Sequence, residues 1–187
     1  MLTRNYDSLM TAFMTILPPS GYTPTETDWL GGKPGVVKIH NGVMKTMYDY
    51  PRSSYSTFGQ SSNNDNLSQL STSTATIYPV LLVGKSNAAE SYNDYAIDLI
   101  TNLSVVGYRS AGITYSTDGC IYTTVKTFIN NTENDITVNE LGLYQHYENG
   151  LDVLVYRKKL ATPVTLKAKG GTATFSLVID IPYANKP

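Results

Sequence analysis

The chain has 187 residues, with 14 Lys or Arg against 15 Asp or Glu, so its formal net charge at neutral pH is −1. This length suits one well-buried domain with an extension, and the near balance of charge argues against nucleic-acid binding as the main role, because such proteins show a basic excess or stripe. The single cysteine, Cys120, excludes an internal disulfide and a cysteine-based zinc site, and we expect no metal and no other cofactor.

The composition also favours a protein that works in an assembly. Charged residues make up only 16% of the chain, while tyrosine occurs 15 times. An ordinary soluble domain is about one quarter charged. Tyrosine is enriched at interfaces because its ring is apolar and its hydroxyl is polar, although tyrosines also simply face outward on strands. No apolar run is long enough to span a bilayer and no secretory signal is evident, so we expect neither membrane insertion nor export.

The first predicted element is an amphipathic helix over residues 2–17, which Pro18 and Pro19 would end. Its apolar stripe must pack either against its own domain or against a neighbouring subunit. We expect the second arrangement to contribute at least part of the burial. The predicted assembly interface consists of Leu9, Met10, Phe13, Met14 and Leu17.

The next segments are turn-rich and then polar. Trp29 lies among turn residues, where we interpret it as filling a packing gap rather than stacking on a sugar. Residues 35–50 predict a short hairpin that turns at His40-Asn41-Gly42, since Asn-Gly between apolar runs is a strong hairpin signal. Residues 51–75 are rich in Ser and Asn and predict an extended polar arm that becomes ordered against a neighbour.

From residue 76 onward, short β-rich runs alternate with turn residues. This pattern predicts a mostly all-β protein, in which an antiparallel β-sandwich over 76–187 follows an N-terminal region of residues 1–75. The predicted strands cover residues 76–83, 103–115, 120–130, 136–144, 151–160, 163–168 and 172–181. A loop with one helical turn is expected over 84–98.

The region 134–160 predicts an antiparallel hairpin with its loop at 145–150. The alternation of apolar residues shifts phase within its first strand, which predicts a β-bulge near Asn139-Glu140. We expect Glu140 to accept backbone hydrogen bonds or to form a structural pair with Arg157. The alternative is an exposed strand glutamate that contributes almost nothing to stability.

Histidine and cysteine, which often act in catalysis, are few in this chain, and they lie in or beside predicted turns. His146 falls in the predicted 145–150 loop, His40 begins a tight turn, and Cys120 starts a strand, where it would be a small buried residue. Catalysis by such groups needs a second group within hydrogen-bond reach or a cationic neighbour, which the sequence does not indicate. We therefore expect no catalytic residues.

Close pairs of acidic residues are the remaining candidates for a catalytic site, because glycosidases need only two carboxylates. Asp94 with Asp98 and Glu133 with Asp135 are near each other, but they lie beside Asn and Ser, where Asp usually caps or turns the backbone. An acidic pair on two separate strands stays open as the basis of a glycan-cleaving enzyme.

One stretch carries a family resemblance. An aromatic strand ends in Asn130-Asn131-Thr132 and is followed by Asp135–Tyr144, which closes on Glu-Leu-Gly-Leu-Tyr. Further segments continue the similarity: Leu151–Arg157, Pro163-Val164, Gly170-Gly171 and Thr172–Ile181. Residues 79–182 thereby resemble small virion structural proteins of tailed bacteriophages.

The resemblance implies a non-enzymatic component of a phage particle, made in the host cytoplasm and residing in the virion. It implies partners that are further copies of the chain and other virion proteins, in the tail, baseplate or neck. The alternatives are a capsid decoration or head-fibre protein and a carbohydrate-binding adhesin. For the adhesin, exposed tyrosines and Trp29 would form stacking platforms for a host-surface glycan.

Overall fold

The structure, a computed structural model, describes residues 1–12, 21–46, 78–115, 117–147 and 151–182. These residues are mostly β-strand, which confirms the predicted all-β class. They form helices α1 (Arg4–Ala12) and α2 (Glu26–Leu30) and strands β1 (Val36–Lys38), β2 (Met44–Thr46), β3 (Tyr78–Gly84), β4 (Ser104–Tyr115), β5 (Gly119–Asn130), β6 (Ile136–Tyr147), β7 (Leu151–Leu166) and β8 (Gly171–Pro182).

Two three-stranded antiparallel sheets form the sandwich, with strand orders β3-β6-β7 and β4-β5-β8. We call them the β6 sheet and the β5 sheet after their central strands. The core contains residues of both, including Leu143 from β6 and Phe128 and Phe175 from the β5 sheet. The two phenylalanine rings meet edge to face with centroids 5.9 Å apart, a geometry that aromatic pairs prefer.

β5 shows why the sequence forms this sheet. From Ile121 to Asn130 its residues alternate between the core and the outside, with Tyr122 and Phe128 fully buried and Thr123 and Thr127 only half-buried. β-branched and aromatic residues at period 2 fit a pleated surface that is buried on one side. The inner face also buries Lys126, whose ammonium lies 5.8 Å from the centre of the Phe128 ring.

β6 lacks this alternation because both of its faces are covered. Every residue from Glu140 to Gln145 is buried. Its inner face packs on the β5 sheet, while residues 85–103, which we call the cover loop, contact its outer face: the Ile97 amide donates to the Tyr144 hydroxyl at 2.9 Å. A strand buried on both faces reads as a continuous apolar run rather than an alternating one.

The pairing irregularity expected near Asn139 is present, but its extra residues belong to β7. Val138 pairs with Val164, whereas Glu140 pairs with Lys159, so residues 160–163 of β7 lie opposite Asn139. Pro163 has no N–H to donate to a ladder, which suits it to a bulge. The two strands predicted at 151–160 and 163–168 are accordingly one strand that continues through the bulge.

The β6–β7 hairpin is antiparallel as predicted, but its loop is shorter than the predicted 145–150. Gln145 pairs with Val153 and His146 pairs with Asp152 within the ladder. Polar residues can occupy a strand when the ladder satisfies their backbone groups, and the polar composition of 145–147 therefore misled the prediction. His146 is a strand residue, not a loop residue.

The N-terminus extends the β6 sheet before the first helix begins. Leu2 forms an isolated antiparallel bridge with Tyr156, and the Thr3 amide donates to the Val155 carbonyl at 3.1 Å. The predicted helix of residues 2–17 therefore begins only at Arg4. α1 packs against β1 and β7, and Leu9 belongs to the core of the chain with an exposed fraction of 4%.

The predicted hairpin around Gly42 is also present, with β1 and β2 paired antiparallel. Gly42 has φ +85°, a conformation that L side chains rarely adopt, which explains the glycine at this turn. The predicted polar arm at 51–75, the end of the predicted first helix at 13–17, and residues 76–77 lie outside the described residues. The cover loop contains a turn at Tyr92-Asn93 in place of the helical turn expected there.

Candidate functional site

A buried ion pair lies where the cover loop meets the β6 sheet. Glu140 on β6 and Arg157 on β7 are 0% and 4% exposed, and the Arg157 Nε donates to the Glu140 Oε2 at 2.7 Å. The sequence suggested this pair. The other oxygen of Glu140, Oε1, accepts from the amides of Asp98 at 2.9 Å and Ser86 at 3.1 Å.

The guanidinium of Arg157 completes the arrangement. Its Nη1 donates to the Asp94 Oδ2 at 2.8 Å and to the Ala89 carbonyl at 3.0 Å, and its Nη2 donates to the Ala88 carbonyl at 3.2 Å. Asp94 Oδ2 also accepts from the Ser91 amide at 2.7 Å. We call Glu140, Arg157 and Asp94 the buried cluster. Its charges hold the backbone of the cover loop against the sheet.

The chemistry of the buried cluster is that of a structural clamp. Each carboxylate within it accepts hydrogen bonds from the guanidinium and from backbone amides. A general acid or base must instead present a transferable proton or a free lone pair to a substrate. The loop residues Asp94, Ser86 and Ala88 were not predicted as partners of the pair, because their positions depend on the path of a loop without a periodic pattern.

The other members of the predicted acidic pairs, Asp98, Glu133 and Asp135, lie in loops and form surface ion pairs. Asp135 contacts the Lys167 ammonium at 2.8 Å, and this hydrogen bond holds the pKa of Asp135 below its ordinary value. Glu133 contacts Lys169 at 2.8 Å, and Asp98 lies 3.7 Å from Lys85. Among the described residues, no group of three or more His, Cys, Asp and Glu is arranged to hold a metal ion.

His40 has a partner that the sequence did not indicate. Its Nδ1 lies 3.1 Å from the hydroxyl of Tyr144, which is fully buried in the centre of β6. The tyrosine oxygen already accepts a hydrogen bond from the Ile97 amide. The geometry therefore suits a hydrogen bond in which the hydroxyl donates to the Nδ1 of a neutral imidazole. Burial lowers the pKa of His40 and raises the pKa of Tyr144. The contact joins the β1–β2 hairpin to the sandwich.

Trp29 is buried, as its interpretation as a packing residue requires. It is 2% exposed, and its Nε1 donates to the Asn5 side chain at 2.9 Å. The cationic ends of Lys38 and Arg4 lie 5.1 and 5.9 Å from the centre of its ring. Trp29 therefore offers no open ring for a sugar, contrary to what an adhesin built on it would need.

In the predicted assembly interface on the first helix, the assignment of Leu9 is corrected, and the assignment of the other residues stays a prediction. Leu9 is covered by its own chain and is not available to a neighbour, because residues 1–3 draw α1 onto β7 and β1. The side chain of Met10 and residues 13–17 lie outside what the structure describes. Cys120 is half-buried rather than fully buried.

The surface most open to a partner is the outer face of the β5 sheet. On β5 and β8 the one charged residue of this face is Asp180, while Arg109 of β4 stands opposite Val125 in the ladder with its side chain outside what the structure describes. Exposed apolar residues include Val178 at 49%, Val106 at 56% and Ile121 at 38%. The remaining outward residues are small or β-branched: Thr114, Thr123, Val125, Thr127, Ile129, Thr172, Thr174 and Ser176. The alternation of Thr, Ser, Val and Ile in 121–129 and 172–178 was the signal that could have revealed it.

Neither helix within the described ranges has the length and apolar character required to cross a bilayer. Comparison of the chain with known protein families, with curated proteins and with solved structures gives no match.

Proposed function

We propose that the chain is a structural subunit of a tailed-bacteriophage particle and that it assembles through the outer face of its β5 sheet. The observation that carries the proposal is the composition of that face. It is exposed along β8 and half-buried along most of β5, and Asp180 is the one charged residue that these two strands contribute to it. Free surfaces usually carry interspersed charges, which keep a soluble protein monomeric.

The resemblance of residues 79–182 to virion structural proteins supplies the biological setting. The Glu-Leu-Gly-Leu-Tyr motif of that resemblance, residues 140–144, forms the centre of β6 and anchors the cover loop. The motif therefore holds the cover loop against the sandwich, and a site supported in this way suits a subunit whose task is to present a fixed surface to neighbours. Its partners are further copies and other virion proteins, in the tail, baseplate or neck.

The proposal is tested by the composition of particles. Mass spectrometry of purified particles, from the phage whose genome encodes the chain, should detect it in stoichiometric amounts. Its gene should also lie among genes for other virion proteins. A chain that is absent from purified particles would overturn the proposed function.

A matched pair of variants tests the surface. Val178→Lys introduces a charge on the outer face of the β5 sheet and should reduce incorporation into particles at least severalfold. Val43→Lys changes the same residue type at nearly the same exposure, 47% against 49%, in the β1–β2 turn. It should incorporate normally. Equal incorporation of the two variants would exclude this face as the contact.

A further inference from the structure

The edges of the two sheets differ in how well they are protected against further strand pairing. An exposed strand edge presents unpaired N–H and C=O groups to other chains, and proteins blunt such edges with short strands, bulges, Pro, charged residues or a covering segment. On the β6 sheet, β3 has 7 residues, includes Pro79, and bonds at its end to the cover loop through Ile100. The free edge of β7 is covered by residues 1–3 between Leu154 and Arg157.

β4, one edge of the β5 sheet, is interrupted in two places. Its pairing with β5 shifts register between Val105 and Gly107 and again between Arg109 and Gly112. Bulges of this kind twist a strand and leave residues out of the ladder, which makes the edge a poor template for another strand.

β8, the opposite edge, is neither short nor bulged, its one charged residue is Asp180, and within the described part of the chain no segment is bonded along it. It runs for 12 residues, about 40 Å at the usual rise per residue. Its pairing with β5 is unbroken from Gly171 to Pro182, and its sequence contains no Lys or Arg and no Pro before its last position. Within the described residues, no further strand pairs with it.

We infer that β8 pairs with β8 of a second copy of the chain, antiparallel about a two-fold axis, so that two β5 sheets join into one six-stranded sheet. The inference rests on the proposed assembly role, and it specifies a second copy of the chain as the partner at the β8 edge of the same sheet. A two-fold axis perpendicular to the sheet keeps both sandwich cores on the same side. When Ser176 lies opposite its own copy, residues 171–181 pair and Pro182, which has no N–H, stays outside the ladder. This register places Thr172 opposite Asp180 and Thr174 opposite Val178.

Self-pairing suits this particular strand for two reasons. The first is charge: in the Ser176-centred register, Asp180 faces Thr172 and never another Asp180, so no like charges lie opposite each other. The second is side-chain type, because the outward residues opposite one another are Thr with Val and Ser with Ser, which pair well across strands. An isologous two-fold contact is also the commonest form of closed assembly.

The inference is tested first on the isolated full-length chain by light scattering coupled to size exclusion. We expect a dimer at micromolar concentration. Ser176→Lys places two like charges opposite each other on the axis and should weaken the dimer by about fivefold or more. Ser176→Glu should weaken it similarly, and an equimolar mixture of the two variants should recover the dimer as a heterodimer. Val43→Lys is the control and should stay dimeric.

Cross-linking tests the register. In a Cys120→Ser background, Ser176→Cys should cross-link to itself with a short bismaleimide, whereas Val43→Cys should not. A mixture of Thr172→Cys and Asp180→Cys should give heterologous cross-links. A chain that is monomeric in these experiments, or a dimer that cross-links at residue 43 but not at 176, would overturn the inference.

The two proposals fail separately. A monomeric chain that is nevertheless found in particles would remove self-pairing through β8 and leave the structural role, with another virion protein as the occupant of this edge. A β8-linked dimer that is absent from purified particles would leave the self-pairing and remove the proposed function.

Discussion

Glu140 and Arg157 are opposite charges withdrawn almost fully from water, and at the scale of single residues they are the most consequential pair in the chain. Breaking a buried pair by removing one partner is strongly destabilising, because the remaining charge is left uncompensated. Here the remaining contacts also fix a loop: Glu140 binds two of its amides, and Arg157 binds two of its carbonyls.

We expect Glu140→Gln to lower the free energy of unfolding by about 3 kcal/mol, the lower end for a broken buried pair. Urea unfolding followed by circular dichroism measures this loss. Asp135→Asn is the control, since it changes one acid in an exposed pair with Lys167 and keeps the oxygen that accepts from Ala168. It should leave the unfolding midpoint almost unchanged. Equal effects of the two substitutions would show that the cluster is not a clamp.

His40 makes stability depend on pH. Burial holds its folded-state pKa below the ordinary value of 6.5, so the unfolded chain takes up a proton at a pH where the folded chain does not. The contribution of His40 is therefore complete above about pH 6.5 and is lost as the pH falls through this range toward the folded-state pKa.

The variant His40→Asn isolates that contribution, because it removes the titrating group from the contact with Tyr144. The difference in unfolding free energy between the wild type and this variant should be larger at about pH 7.5 than at about pH 5. A difference that is constant between these two pH values would show that His40 does not titrate differently in the folded and unfolded chains.

At the scale of elements, close approach between the strands and the cover loop requires glycine. A Cβ on Gly84 would lie 2.5 Å from the Glu140 Oε1 and 2.9 Å from the carbonyl oxygen of Asp98. A Cβ on Gly142 would lie 3.0 to 3.1 Å from side-chain atoms of Ile97 and Leu154, which can move more easily than backbone. The cover loop can therefore approach β3 and β6 this closely only because the residues at positions 84 and 142 have no side chain.

Gly84→Ala should accordingly lower the free energy of unfolding by about 1–3 kcal/mol, the range for overpacking, and Gly142→Ala should lower it less. Thermal unfolding of both variants measures the order. The opposite order, or no effect at Gly84, would mean that the cover loop adapts freely to an added methyl group.

The elements show what could and could not be predicted from the sequence. Period-2 alternation and turn residues located the strands of the sandwich, because those signals are local. The continuation of β7 past Pro163 and the inclusion of Gln145 and His146 in β6 were missed, since both depend on which residues the partner strand offers. The ion pair of Glu140 and Arg157 could be predicted because the two strands of a hairpin are neighbours. Its partners in the cover loop could not be predicted.

At the scale of the whole molecule, the two sheets are covered unequally. The β6 sheet is packed on both faces, by the β5 sheet on one side and by the cover loop and N-terminal elements on the other. The β5 sheet is packed on one face, and its outer face carries exposed Val106 and Val178. The helix interface predicted from apolar periodicity was wrong for Leu9, because periodicity identifies a buried face but not the surface that covers it.

Hydrogen exchange should reproduce this asymmetry. Backbone amides of β6 should exchange most slowly, since the strand is central and covered on both faces. Those amides of β8 that point away from β5 should exchange rapidly in Ser176→Lys and more slowly in the dimeric wild type. Mass spectrometry of peptides spanning 136–147 and 171–182 measures both, and fast exchange in β6 would contradict the packing described above.

The pairing of residues 1–3 with β7 also sets when the chain can fold. The hydroxyl of Thr3 donates to the Leu154 carbonyl, a bond that spans 151 positions of sequence. During synthesis, the first segment cannot reach its place until the chain has been made as far as Leu154. Contacts of such long range slow folding, because the chain must close a large loop before any of them form. Nascent chains cut short before residue 151 should therefore keep the first segment accessible to protease, and this segment should become resistant only once β7 has emerged from the ribosome.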